Sequence, residues 1–144
     1  MFFKKIKKSN FFLGLTIPGF LVLHFFGWHN FYYNTVNGYD KIVHFLAGAC
    51  VTLALYWFID FLVGIKIFKA EFLEKNKVVI CLIGLIVVGL FWETFEFSVD
   101  HFVGRIDLIA TQPSHLDTFS DILANFASGI LVLMILFFNK KNSK

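Results

Sequence analysis

VVICLIGLIVVGLFWETFEFS, residues 78–98, is the stretch on which the fold turns. It carries no charge until Glu93, and its 21 residues match the ~20 that a helix needs to cross the hydrocarbon core of a bilayer. Lipid offers no partner to a backbone N–H or C=O, so a run of this kind spans as a helix. Working outward, three further apolar segments have similar length: Phe11 to Trp28, Ile42 to Ile65 and Ser120 to Phe138. With their polar edges included, the pattern predicts helices at about 11–28, 40–65, 78–99 and 119–138. The expected fold is all-α, a single domain over residues 1–144 built as an integral membrane bundle of four transmembrane helices. Composition agrees, because 58% of the chain is apolar before its ten glycines are added and 16% is charged, against ~25% charged in soluble domains. An ordinary soluble domain, a disordered chain and a collagen-like chain are excluded.

Charge placement predicts the topology. Lys4, Lys5, Lys7 and Lys8 resemble the basic region of a signal peptide, but the apolar run after them exceeds the ~7–15 residues of a signal core and no small-x-small site follows, which predicts a retained helix. Eleven of the 13 basic residues fall in the amino-terminal arm, the 66–77 loop and the carboxyl tail, leaving Lys41 and Arg105 on the other side. The positive-inside rule then places both termini in the cytoplasm of a multi-pass inner (plasma) membrane protein, with residues 28–41 and 99–119 facing outward. The second outward segment is long for a helix connection, a length usually associated with function or disorder. Insertion already explains the scattered lysines, so no nucleic acid partner is expected. Cys50 and Cys81 lie in apolar runs at different depths, where they act as small hydrophobes and cannot pair.

Polar residues gather in the outward half. All five histidines and seven of the ten acids map there. Asp40, His44 and Gly48 recur at four-residue steps on the second helix; Glu93, Glu96 and Asp100 share a face of the third; Asp117, Asp121 and Asn125 repeat the step on the fourth. Counted by depth, His44, Glu96 and Asp121 come to one level, with Gly48, Glu93 and Asn125 one turn deeper and Gly48 leaving room. His24 on the first helix reaches a similar height.

Carboxylates inside a membrane face one another or a wet cavity, and a crowd of them is stabilised by shared protons or by a bound cation. Mixed imidazole and carboxylate donors suit zinc, iron or manganese better than calcium. The expectation is a divalent metal held by His44, Glu96 and Asp121, with Glu93 or Glu96 as a general base and Asp40, Asp117 and Asn125 around them; no organic cofactor is indicated. Plainer roles exist for several of these residues. Asp40, Asp117 and Ser120 suit helix caps, His24 suits a buried hydrogen-bonded histidine, and Asp60 suits contact with solvent or Lys66.

DKIVHFLAG (40–48), WETFEF (92–97) and TQPSHLDTFSDILANFASG (111–129) resemble the YjdF family of uncharacterised bacterial membrane proteins, and more distantly VanZ-like proteins. The resemblance covers residues 40–129 and implies a shared site of Asp40, His44, Glu93, Glu96, Thr111, Gln112, Asp117, Thr118 and Asp121. VanZ-like proteins are linked with glycopeptide resistance, which implies an envelope role.

Three functions fit this pattern. The first is a metal-dependent hydrolase acting on a lipid or envelope-linked small molecule at the outer leaflet. The second is a cation- or proton-coupled carrier, in which four helices would need a homo-oligomer to alternate access. The third is a non-catalytic envelope protein whose polar cluster is interhelical glue. No serine or cysteine nucleophile with a nearby base is evident.

Overall fold

The computed structural model describes residues 16–27, 29, 30, 32–66, 70–102 and 115–141, apart from the side chains at 34, 99–102, 115, 140 and 141. All regular structure among the described residues is helical: α1 (Thr16–Gly27), α2 (Tyr32–Thr35), α3 (Tyr39–Gly64), α4 (Ala70–Lys75), α5 (Lys77–Phe102) and α6 (His115–Lys141). Three of them, α3, α5 and α6, are long and apolar enough to cross a membrane, and α1 is a shorter apolar helix. α5 runs past the expected end at 99 to Phe102, and α6 starts at His115, before the expected 119, so Asp117 is already helical. Residues 103–114, Thr111 and Gln112 among them, lie outside the described residues.

α3 starts after an Asn37-Gly38 turn. Gly38 adopts φ 78°, a left-handed conformation that glycine takes without a Cβ penalty. Asp40 thus sits inside the first turn, and no side-chain cap is formed. In α6, Asp117 and Ser120 follow the first described helical residue, His115, and the Ser120 hydroxyl donates to the Asp117 carbonyl at 2.7 Å. The capping role open to Asp40 in the sequence is not the one it plays.

Ion pairs and close contacts give the directions of the long helices. Lys41 and His44 of α3 meet Asp121 and Asn125 of α6, so these two run parallel; Asp60 of α3 meets Lys77 of α5, so α5 runs antiparallel to both. Small residues let the backbones approach, as in other membrane helix pairs. At Gly48 a Cβ would run into the Asn125 carbonyl and Ser128 hydroxyl and come within 2.7 Å of Asn125 Cα, so the room expected above Gly48 is occupied by α6 itself. Gly84 receives Leu55, and Gly129 receives Leu85 and Thr52.

Below this level the bundle is apolar. Ile59, Cys81 and Leu133 form its core, packed by Leu55, Tyr56, Val63 and Leu82. Both cysteines are free and buried. At the far end Lys77 is buried, pairs with Asp60 at 2.5 Å and lies 3.2 Å over the Tyr56 ring. Asp60 therefore turns inward to Lys77 rather than to solvent or Lys66, since partial burial favours a fixed cation over a flexible one. Large apolar side chains such as Val87, Phe91 and Phe97 face outward all round the helices. A helix apolar on every side belongs in protein or lipid, and here it is the outer surface that is apolar.

Candidate functional site

The polar end of the bundle is built on a four-residue step. On α3 that step puts Asp40 and His44 on the face turned to α5 and α6, and it continues through Gly48, Thr52, Tyr56 and Asp60 to the opposite end. On α5, Glu93 and Glu96 are three residues apart and both buried; on α6, Asp121 and Asn125 are four apart and both buried.

His44 is the hub. Its side chain is 5% exposed; Nε2 lies 3.5 Å from Asp40 Oδ1 and 4.0 Å from Glu96 Oε2, while Nδ1 lies 3.8 Å from Glu93 Oε1 and 3.2 Å from Asn125 Nδ2. The imidazole thus has one nitrogen toward Asp40 and Glu96 and the other toward Glu93 and Asn125. Two sets of side chains bring one ligand atom each within 4.8 Å of one another: Asp40, His44 and Asp121, and His44, Glu93 and Glu96. All three members of the second set are buried.

Lys41 joins the first of these sets. Its ammonium is 2.6 Å from Asp121 Oδ1 and 3.3 Å from Asp40 Oδ2, and it also contacts Asp117 Oδ1. Lys41 is one of two basic residues that the sequence places on the side of the acids, and its position next to Asp40 and three residues before His44 brings it into the cluster. Asp121 therefore has a cationic partner, whereas the contacts of His44 are with carboxylates and an amide. Ser128 donates to the Asn125 carbonyl at 2.9 Å and holds the α6 backbone at this level.

A cleft of about 340 Å³ opens from the cluster between α1, α3 and α5. Asp40, His44, Glu96 and Asn125 line its polar end, and Val43, Ala47, Val51, Leu85, Val88 and Trp92 line much of the rest. Glu93 and Asp121 lie outside that lining, so the two glutamates differ in access: Glu96 faces the cleft and Glu93 stands behind His44. The outer wall includes Phe20 and His24 of α1. His24 Nδ1 hydrogen bonds the Tyr33 hydroxyl at 2.6 Å, and its ring stacks on Phe20. His24 is thus hydrogen-bonded but half-buried, and it lies outside both sets of candidate ligands. Burial, followed by the charges of Asp40, Tyr39 and Glu96, pushes the Tyr33 hydroxyl well above the ordinary tyrosine range and keeps it protonated. Tyr39 donates to the Leu23 carbonyl at 2.5 Å and ties α1 to the start of α3.

Of the residues expected at the site, Asp40, His44, Glu93, Glu96, Asp117, Asp121 and Asn125 meet at this end of the bundle. Thr118 lies on the first turns of α6, half-buried. Lys41, Tyr33 and Trp92 join the surroundings without having been singled out for the site.

The family model described as predicted membrane protein (DUF2238) matches residues 3–142. Comparison with curated proteins and with solved structures finds no match. A match over nearly the whole chain accords with its three apolar spanning helices, although it carries neither the YjdF nor the VanZ-like name. The chain belongs to the DUF2238 family of predicted membrane proteins.

Proposed function

We propose that this protein is a divalent-metal-dependent membrane hydrolase, with zinc, iron or manganese held by His44, Glu93 and Glu96 and a lipid or envelope-linked substrate entering through the cleft. The observation that carries this reading is the charge balance around His44. Asp40, Glu93, Glu96, Asp117 and Asp121 crowd one end of the bundle, and Lys41 directs its ammonium to Asp40, Asp117 and Asp121. Glu93 and Glu96 lie on either side of the His44 imidazole, all three buried and with ligand atoms within 4.8 Å of one another, a donor set that suits these metals. A bound cation would offset the like-charge repulsion and activate water next to the cleft.

The preference for the His44, Glu93 and Glu96 set revises the role expected for Asp121. Its oxygen already faces Lys41, so a metal there would compete with an ammonium 2.6 Å away. Asp40 is the better general base than Glu93, because it lines the cleft and approaches His44 Nε2 while Glu93 stands behind the ring. A carrier would need a polar path to the other end, and the apolar core of Ile59, Cys81 and Leu133 argues against one among the described residues. The proposal includes α1 as part of a fourth span, both termini on the cytoplasmic side of the inner membrane, and the envelope role that the YjdF and VanZ-like resemblance implies. The basic residues clustered at one end support that orientation.

Elemental analysis of the purified protein tests the reading. Near-stoichiometric metal is expected in the wild type, lost at least tenfold in affinity in His44→Ala and Glu96→Gln and retained in Asp121→Asn. A metal-free wild type, or His44→Ala with unchanged affinity, overturns it.

A further inference from the structure

The cleft has the depth of one membrane leaflet. From Asp40 to Val51 on α3, and from Glu96 back to Leu85 on α5, its walls extend over the same number of residues. At 1.5 Å per residue each wall is ~16 Å long, about half of the ~30 Å hydrocarbon core. The volume of about 340 Å³ lies at the lower end of the ~300–1,000 Å³ typical of small-molecule sites. One end of it is apolar at Val51, Leu85 and Val88, and the other is polar at Asp40, His44 and Glu96. A dry apolar void forfeits dispersion contacts along its whole lining, and in a bilayer hydrocarbon is the solvent at hand to fill it.

We propose that the cleft seats the single linear hydrocarbon chain of a lipid, with the chain end at Val51 and Leu85 and an uncharged hydroxyl or ester head at Asp40, His44 and Glu96. Charge selects the head. Carboxylates and an imidazole line the polar end, and the ammonium of Lys41 is directed to Asp40, Asp117 and Asp121. Even beside a bound metal, a bare phosphate at this position would also meet the Asp40 carboxylate, which lines the cleft outside the ligand set. The His24–Tyr33 hydrogen bond holds α1 as the outer wall, so the chain is enclosed by protein on that side. This assignment rests on the metal-site reading for the chemistry at the head, and on the shape and lining of the cleft for the chain.

Full-length protein in detergent is titrated with monopalmitoylglycerol or with farnesol and the adducts are read by native mass spectrometry, with metal content measured on the same samples. A saturable one-to-one adduct is expected with at least one probe, an acyl preference indicating a glycerolipid source and a prenol preference an isoprenoid one. Ala47→Phe fills the cleft from α3 and is expected to weaken the adduct at least tenfold while metal content stays at the wild-type level. Val88→Trp does the same from α5 at a position 41% exposed, which keeps the test available if Ala47→Phe does not fold. Adducts that fail to saturate, or that folded cleft-filled variants bind as well as the wild type, overturn the chain assignment and leave the metal reading standing. A metal-free wild type that still forms an adduct sensitive to cleft filling overturns the metal reading and keeps the chain.

Discussion

Lys41 decides how the acidic residues divide. Its ammonium reaches carboxylates of both α3 and α6, and it is 32% exposed at the side chain, so its pairs are partly screened. Replacing it with methionine leaves Asp40, Asp117 and Asp121 facing one another. We expect Lys41→Met to lose about 1.5–3 kcal/mol of stability, the scale of hydrogen bonds to charged groups, and Asp121→Asn added to it to recover part of that loss. Thermal unfolding of the two variants and their combination measures this; a loss that is unchanged in the pair would mean that Lys41 does not act through Asp121. His44 obeys the opposite logic. It was legible in the sequence as one turn below Asp40, yet which of its nitrogens meets which carboxylate was not, because ring orientation follows from where α5 and α6 stop against α3.

The long helices meet through small residues. Gly48 lies against the α6 backbone at Asn125, which cannot retreat as a side-chain tip can. Gly48→Ala is expected to cost about 1–3 kcal/mol by overpacking, seen as a lower unfolding midpoint in detergent. Gly129→Ala should cost less where Leu85 can change rotamer, although Thr52 Oγ1 stands 2.8 Å away. At the other end α3 and α5 are joined by Asp60 and Lys77. Lys77→Met strands a largely buried carboxylate and should destabilise the fold by up to about 3–5 kcal/mol, with Asp60→Leu added to it returning most of the loss. Failure of the double substitution to recover stability would show that the pair is not the relevant contact. The periodic step on α3 is legible as a polar stripe as far as Gly48; its continuation through Thr52 and Tyr56 to Asp60 is equally present in the sequence but carries no charge until the end, so composition alone does not mark it as a stripe.

At the scale of the molecule the two ends differ. One gathers Asp40, His44, Glu93, Glu96, Asp121 and Asn125 beside an open cleft, and the other closes on Ile59, Cys81 and Leu133. If the polar end faces outward, a membrane-impermeant thiol reagent applied to intact cells should label Asn37→Cys, whereas Glu71→Cys should react only after permeabilisation. Both positions are exposed and the native cysteines are buried, which keeps background labelling low. Labelling with the two positions exchanged would invert the proposed topology.

Apolar run length and the placement of charge were enough to determine helices, a membrane setting and polar stripes at matching depths, because each depends on residues near one another along the chain. Which stripes meet was decided by the packing of α6 into Gly48 and of α5 across both, since side-chain direction between helices depends on rotation and approach that no local pattern specifies. That packing put Lys41 between Asp40 and Asp121, set Glu93 behind His44 and opened the cleft beside Glu96.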